Sequence, residues 1–345
     1  MRDSLRQLTL TRFREFVREP EALFWSLAFP ILLSVGLGIA FRNRPAEIVH
    51  VAVVGDPSAV RVAMDALATS PGIKAEHLEA IPARLALRTG KVALVVNARV
   101  PGRVEYEYDD TRPDSRAARL LADDAIQRGG GRVDPLHVSE RYVREPGSRY
   151  IDFVVPGLLG MGLMGNGIWG IGFPIVDARR KRLLKRLMAT PMSRAEYLGS
   201  FVFSRFFLLV FELLALVGFS ALVFGVPLRG SLLQLGLICA LGALAFGALG
   251  LLIAARPRTI EGASGLMNLA MMPMWILSGV FFSSENFPRA VQPVIQALPL
   301  TAVNDALRAN MLRGAGLEVV GPELAIIAVW FVVCFMVALR IFRWR

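Results

Sequence analysis

The sequence predicts a polytopic α-helical membrane protein with six transmembrane helices and an α/β domain inserted between the first two. Two features of the 345-residue chain carry that expectation. Six apolar runs each reach about 20 residues, enough to cross a hydrocarbon core of roughly 30 Å. One stretch, 42–149, instead mixes both charge signs and breaks its apolar residues into short runs, as a folded, water-facing domain does. A third feature works by exclusion. The net charge of +11 suggests nucleic acid in a soluble protein, but here the cations gather at the ends of apolar runs, where they set topology. No nucleic-acid partner is expected.

Residues 1–21 carry Arg2, Arg6, Arg12, Arg14 and Arg18, with Leu5, Leu8, Leu10, Phe13, Phe16 and Val17 on one broad helical arc. Two readings stand: a helix lying along the cytoplasmic membrane surface, or a plain basic flank. The first span covers 22–41. It is too long for a signal-peptide core, and no small-x-small site precedes Arg42, so it reads as an uncleaved anchor.

Within 42–149, strands are expected at His50–Val54, Ile73–Leu78, Val92–Val96 and Val104–Tyr108. Helices are expected at Val60–Ala68, Pro82–Thr89 and Ala117–Gln127, the last ended by Gly129-Gly130-Gly131. Alternating strands and helices favour a mixed sheet covered by helices. The later spans are 150–176, 201–225, 231–255, 262–282 and 322–340. The semi-polar stretch 283–320 holds too many apolar side chains for a free loop. Cys239 and Cys334 lie inside spans, and neither disulfide nor zinc spacing exists. His50, His77 and His137 read as surface histidines. No metal site, catalytic residue or cofactor bound by this chain is expected.

Lysine and arginine counts orient the chain. With the N-terminus inside, the segments 1–21, 177–200, 256–261 and the tail hold about sixteen of these cations, against about four in 226–230 and 283–320. A domain as long as 42–149 crosses largely regardless of its charge. Both termini are therefore expected in the cytoplasm, and the α/β domain is expected to be extracytoplasmic.

The cytoplasmic segment 177–200 reads DARRKRLLKRLMATPMSRAEYLGS. Leu183 and Leu187, with Leu184 and Met188, form an apolar stripe at helical spacing, ringed by Arg179, Arg180, Lys181, Arg182, Lys185 and Arg186. Asp177 is placed near the N-terminus of this short helix, where a carboxylate favours the dipole. Thr190-Pro191 should stop it, and Ser193-x-x-Glu196 reads as a capping box for the next helix. A purely topogenic loop needs the charge but not the stripe or the stop, so a protein-binding helix is expected.

Four segments carry a resemblance: Phe153-Val154-Val155-Pro156-Gly157 opening the second span; Leu184 to Pro191; Leu277-Ser278-Gly279-Val280-Phe281-Phe282; and Leu298-Pro299-Leu300 followed by Asn304-Asp305-Ala306-Leu307-Arg308 and Arg313-Gly314. In this order and placement the chain resembles type-2 ATP-binding-cassette (ABC) transporter permeases, the subgroup with an extracytoplasmic domain between spans one and two, similar to multidrug efflux members. The family often has Arg-Glu and then Gly-Thr-Leu-Glu before the leucines; here Arg179-Arg180-Lys181-Arg182-Leu183 is more basic. The resemblance implies an exporter in a bacterial inner membrane, working as a homodimer or a pair of related permeases. It makes Asp177, Leu183, Leu184, Lys185, Leu187, Met188, Thr190 and Pro191 the coupling contact to a cytoplasmic ABC ATPase subunit. The sequence has no GxxxxGK[ST] loop, so ATP and Mg would sit on that subunit. The stretch 283–320 would then form re-entrant helices.

Three residues mark a possible translocation pathway. Glu212 falls about halfway along the third span, where a carboxylate costs roughly 2.5–3.5 kcal/mol. A structural ion pair (Arg205 lies two turns away), a hydrogen-bonded protonated acid and a substrate contact all fit. Asn268 and Pro273 lie in the fifth span, which Pro273 is expected to interrupt. Ala243-x-x-x-Gly247 suits close helix packing, internal or between copies. Two other classes make different demands. A secondary transporter predicts paired intramembrane acids and an internal repeat. A sensor needs a cytoplasmic output domain. Neither signature is present in this sequence.

Overall fold

The structure, a computed structural model, describes residues 3–41, 48–100, 103–136, 138–139, 147–181, 194–257 and 259–341. The chain divides into two compact units, Asn43–Val143 and a second made of Met1–Arg42 with Arg144–Arg345.

The smaller unit is a four-stranded sheet of order β2-β1-β3-β4, from β1 (Val49–Gly55), β2 (Ile73–His77), β3 (Leu94–Val100) and β4 (Arg103–Glu107). The first three strands are parallel and β4 is antiparallel. Alternation on β1 divides its two faces. Val49, Val51 and Val53 pack with the helices at Pro57–Ala68 and Pro113–Gly129, while Ala52 packs with the helix at Ala80–Arg88. Asp56 caps the first of these helices, accepting from the Ser58 amide at 3.0 Å and the Ser58 hydroxyl at 2.6 Å. Those bonds favour the ionised carboxyl and hold it below its ordinary range. On β4, Glu107 accepts from Asn97 at 2.7 Å and pairs with Arg84 at 3.3 Å, and the guanidinium bond is the main reason its carboxyl is also lowered.

The larger unit is helical. In chain order its main elements are α1 (Asp3–Arg18), α2 (Pro20–Leu23), a π-turn (Phe24–Ala28), α3 (Phe29–Ala40), then α7 (Tyr150–Arg180), α8 (Arg194–Phe224), α9 (Leu232–Ala254), α10 (Ile260–Leu277), the short α11 (Gln292–Gln296), α12 (Pro299–Arg313) and α13 (Leu317–Ile341), the labels α4 to α6 belonging to the three helices of the sheet unit. Among the described residues, α7, α8 over Phe206–Phe224, α9 and α13 are long and apolar enough to cross a membrane, and Phe24–Ala40 is a shorter apolar helical run. Such helices make the chain a polytopic membrane protein.

The central element is α7. Asp152, fully buried, starts it by accepting from the amides of Gly147 (2.8 Å) and Arg149 (3.1 Å) and from the Arg149 guanidinium (2.8 Å). Its glycines let neighbours approach backbone to backbone. A Cβ on Gly167 would stand 2.6 Å from Phe246 Cβ of α9, and one on Gly250 of α9 would stand 2.7 Å from the Ile168 carbonyl of α7. Gly247 faces Ile171 of α7, which places it in packing within one copy. Pro273 does not interrupt α10, which runs from Ile260 to Leu277 through it. One proline removes one hydrogen bond, and in an apolar setting the rest of the ladder carries the helix.

Candidate functional site

Three helices contribute to a polar chain deep in the apolar unit. The first contribution arises from Pro30. It has no amide hydrogen to give the Ser26 carbonyl and its ring crowds that carbonyl. The helix widens just before it, and Phe29 donates to Phe24 five residues back. π-Turns of this kind often mark functional positions. Ser26, in the middle of the turn, is 9% exposed and donates to Asn166 Oδ1 of α7 at 3.3 Å. Asn166 Nδ2 in turn donates to Glu212 Oε1 of α8 at 2.7 Å. Glu212 is buried and lines two small hollows, one toward α9 with Leu208 and Ala243, the other toward the π-turn with Ser26 and Leu27. Held this way, the Glu212 carboxyl presents Oε1 as an acceptor to Asn166.

A second cluster sits where α10 ends. Gly279, at φ +71°, takes a left-handed conformation that favours glycine. The exposed carbonyls around it are claimed by side chains from two other elements. Asn304 Nδ2 of α12 donates to the Ser278 carbonyl at 2.8 Å, and Tyr150 Oη of α7 donates to the Phe281 carbonyl at 2.9 Å. Arg308 donates to the Gly279 and Phe153 carbonyls and lies 3.7 Å from the centre of the Phe153 ring. Asp305 is 3.6 Å away. A cation at a helix C-terminus also complements its dipole. Three of the four segments that carried the family resemblance therefore meet at one point.

The other expected site residues are placed separately. Asp177 lies in the last turn of α7 rather than at the start of a new helix, because α7 continues to Arg180. There its charge is offset by Lys181 at 2.7 Å and Arg180 at 3.5 Å. Leu183, Leu184, Lys185, Leu187, Met188, Thr190 and Pro191 fall outside the described residues, as does the side chain of Arg205. Asn268 and Pro273 lie on the exposed face of α10, while Met267, Met271 and Met274 bury the other. No described hydrogen bond or cavity joins them to Glu212. Among the described residues, no group of His, Cys, Asp and Glu is placed to hold a metal ion. Asn166 and Ser26 were not singled out in the sequence, where small polar residues inside apolar runs give little signal.

Fold and site together define a polytopic helical membrane protein with a buried polar centre. The sequence of residues 123–312, more than half of the chain, matches the family described as ABC-2 type transporter, and the chain belongs to it. It is similar to "Probable multidrug ABC transporter permease YbhS" of Escherichia coli K12, at 27% identity over 54% of this chain and 50% of that protein. It is also similar to "Inner membrane transport permease YhhJ" of the same organism, at 28% over 50% and 46%, and to "ABC transporter G family member 20" of Dictyostelium discoideum, at 25% over 56% and 27%. The chain spans about half the length of the bacterial relatives it matches.

Proposed function

We propose that the chain is the membrane-spanning permease subunit of an ABC exporter in a bacterial inner membrane. It moves amphipathic or lipophilic molecules outward, and a separate cytoplasmic ATPase subunit, which binds ATP and Mg, supplies the energy. The match of residues 123–312 to the ABC-2 family carries this reading. Six spans follow if Pro20–Ala40 and α10 join the four long helices. Twenty-one helical residues rise about 31 Å and eighteen about 27 Å, both near the thickness of a hydrocarbon core. The cationic segment then faces the cytoplasm, with both termini, and the sheet unit lies outside.

Asp177 to Pro191 is the coupling segment that docks on the ATPase through Leu183, Leu184, Leu187 and Met188. Glu212, Asn268 and Pro273 belong to the translocation pathway, and two permease copies complete it. Support for the second copy comes from α10, whose exposed face carries the polar Asn268. Leu187→Glu puts a charge in the docking stripe. In membranes from cells that also produce the partner ATPase subunit, this variant should insert at normal levels yet recover less than a tenth of the ATPase on affinity purification. Recovery equal to that of the unaltered chain refutes the assignment.

A further inference from the structure

An apolar cleft of about 720 Å³ runs between α1, the π-turn and α8, and its lining is apolar throughout. Sites that enclose a small organic molecule measure roughly 300–1,000 Å³. Val17, Phe24 and Phe211 are exposed at its edge, so it opens on the surface of the helical unit. One wall is continuous, with Pro20, Leu23, Leu27 and Ile31 at helical spacing along it. Between Pro20 and Ile31 that wall rises about 16 Å, half of a hydrocarbon core of roughly 30 Å. The cleft is therefore about one leaflet deep. At its foot the chain turns, because Glu19 leaves the helical conformation between α1 and α2. Phe13 and Val17 of α1 line the cleft there. Arg14 and Arg18 follow them by one position, about 100° round the helix, and both are exposed. Being four residues apart, the two arginines share one face beside the apolar lining. Among the described residues, neither is paired with a carboxylate.

We propose that this cleft binds one phospholipid of the surrounding leaflet, with an acyl chain against Phe13, Phe24 and Phe211 and the phosphodiester on Arg14 and Arg18. Depth and charge together name this occupant. An acyl chain needs a groove that is open sideways and one leaflet deep. A basic amphipathic helix lies at headgroup level, with its apolar face toward the acyl boundary. Guanidinium groups grip phosphate oxygens with two parallel hydrogen bonds, and their planar fork matches that geometry. Glu19 and Glu21 are also exposed close by in the chain. Net charge alone therefore does not choose the head; the paired arginine forks choose phosphate. A diacylglycerol would fill the cleft and leave both arginines unused. The leaflet is the cytoplasmic one in the orientation proposed above, and the site rests on that reading for nothing else.

The test uses the purified full chain in maltoside detergent and two probes, a phosphatidylglycerol and a diacylglycerol, each with a diazirine near the end of one acyl chain. After illumination, mass spectrometry locates the labelled residues. The phospholipid should label residues 13–31 and 208–211 at least fivefold above the other apolar helices, and at least fivefold above the diacylglycerol. Arg14→Gln together with Arg18→Gln should remove the phospholipid's advantage and leave diacylglycerol labelling unchanged. Ala28→Trp fills the cleft but keeps both arginines, and it should cut phospholipid labelling at least fivefold, so the result does not depend on one variant folding. Unlabelled phosphatidylglycerol should displace the probe, and millimolar inorganic phosphate should not. Labelling spread evenly over the apolar helices overturns the proposal, as does a phospholipid advantage that survives loss of both arginines. Displacement by inorganic phosphate overturns it in favour of a plain anion site. Cross-links between copies at α1 without lipid labelling overturn it in favour of a second chain. No readout needs the partner ATPase, so failure of the permease reading leaves the lipid site standing, and the reverse.

Discussion

Arg308 does the most structural work of any single side chain at the end of α10. Its side chain is 13% exposed, and the guanidinium serves two backbone carbonyls, a ring face and an acid. Removing it leaves the Gly279 and Phe153 carbonyls without their donor. A buried polar group deprived of its partner costs about 1–3 kcal/mol, so Arg308→Ala should lower stability by roughly 2–4 kcal/mol once the lost stacking is added. Arg308→Lys keeps the charge but not the fork and should fall between. Thermal unfolding in detergent ranks the three chains, and an alanine variant as stable as the original removes Arg308 from this role. Gly160 is a second test of the same cluster, because a Cβ there would collide with the Asn304 side chain. Gly160→Ala should shift the melting temperature downward by several degrees. An unchanged melting temperature shows that Asn304 does not need that space.

Among the elements, those whose pattern is local were the most legible. His50–Val54 announced β1, whose observed limits are Val49–Gly55, and the alternation of Val104–Tyr108 announced β4 at Arg103–Glu107. What depends on distant partners was not legible. Ser26, Asn166 and Glu212 lie 140 and 46 residues apart along the chain. Only Glu212 stood out, because a carboxylate in an apolar run is costly while a serine or asparagine is tolerated. The same limit explains Asp177. Residue spacing suggested a helix start, but nothing local marked the end of α7 before it, and the helix runs on to Arg180. Local capping at Asp56 gives a prediction at this scale. Its folded carboxyl is lowered, so its stabilising bonds to Ser58 are present above the ordinary aspartate range and fade as the pH falls through the folded value. Asp56→Ala should speed amide exchange across Pro57–Ala68 several-fold at neutral pH. After correction for intrinsic rates, that difference should shrink below about pH 3.9. A difference that is flat with pH would show that the carboxylate charge plays no part in the cap.

For the whole molecule, α10 is the element whose surroundings remain to be supplied. Met267, Met271 and Met274 face inward, and the opposite face shows Leu266, Leu269, Met272 and Ile276 with Asn268 among them. An amide facing lipid forgoes hydrogen bonds that a hydrocarbon cannot offer, whereas asparagine between helices finds partners. A second copy of the chain would cover this face and convert the cost into a contact. Cys239 and Cys334 are both buried, so a thiol introduced on α10 is tested against a quiet background. Leu269 is 70% exposed and next to Asn268. With Leu269→Cys in native membranes, mild oxidation should yield a disulfide-linked dimer at most of the protein, reversed by reductant, and Asn268→Leu on the same background should reduce its yield. If the chain stays monomeric under oxidation while a lipid-soluble maleimide labels the same cysteine, α10 faces lipid and the pathway must be closed by another helix.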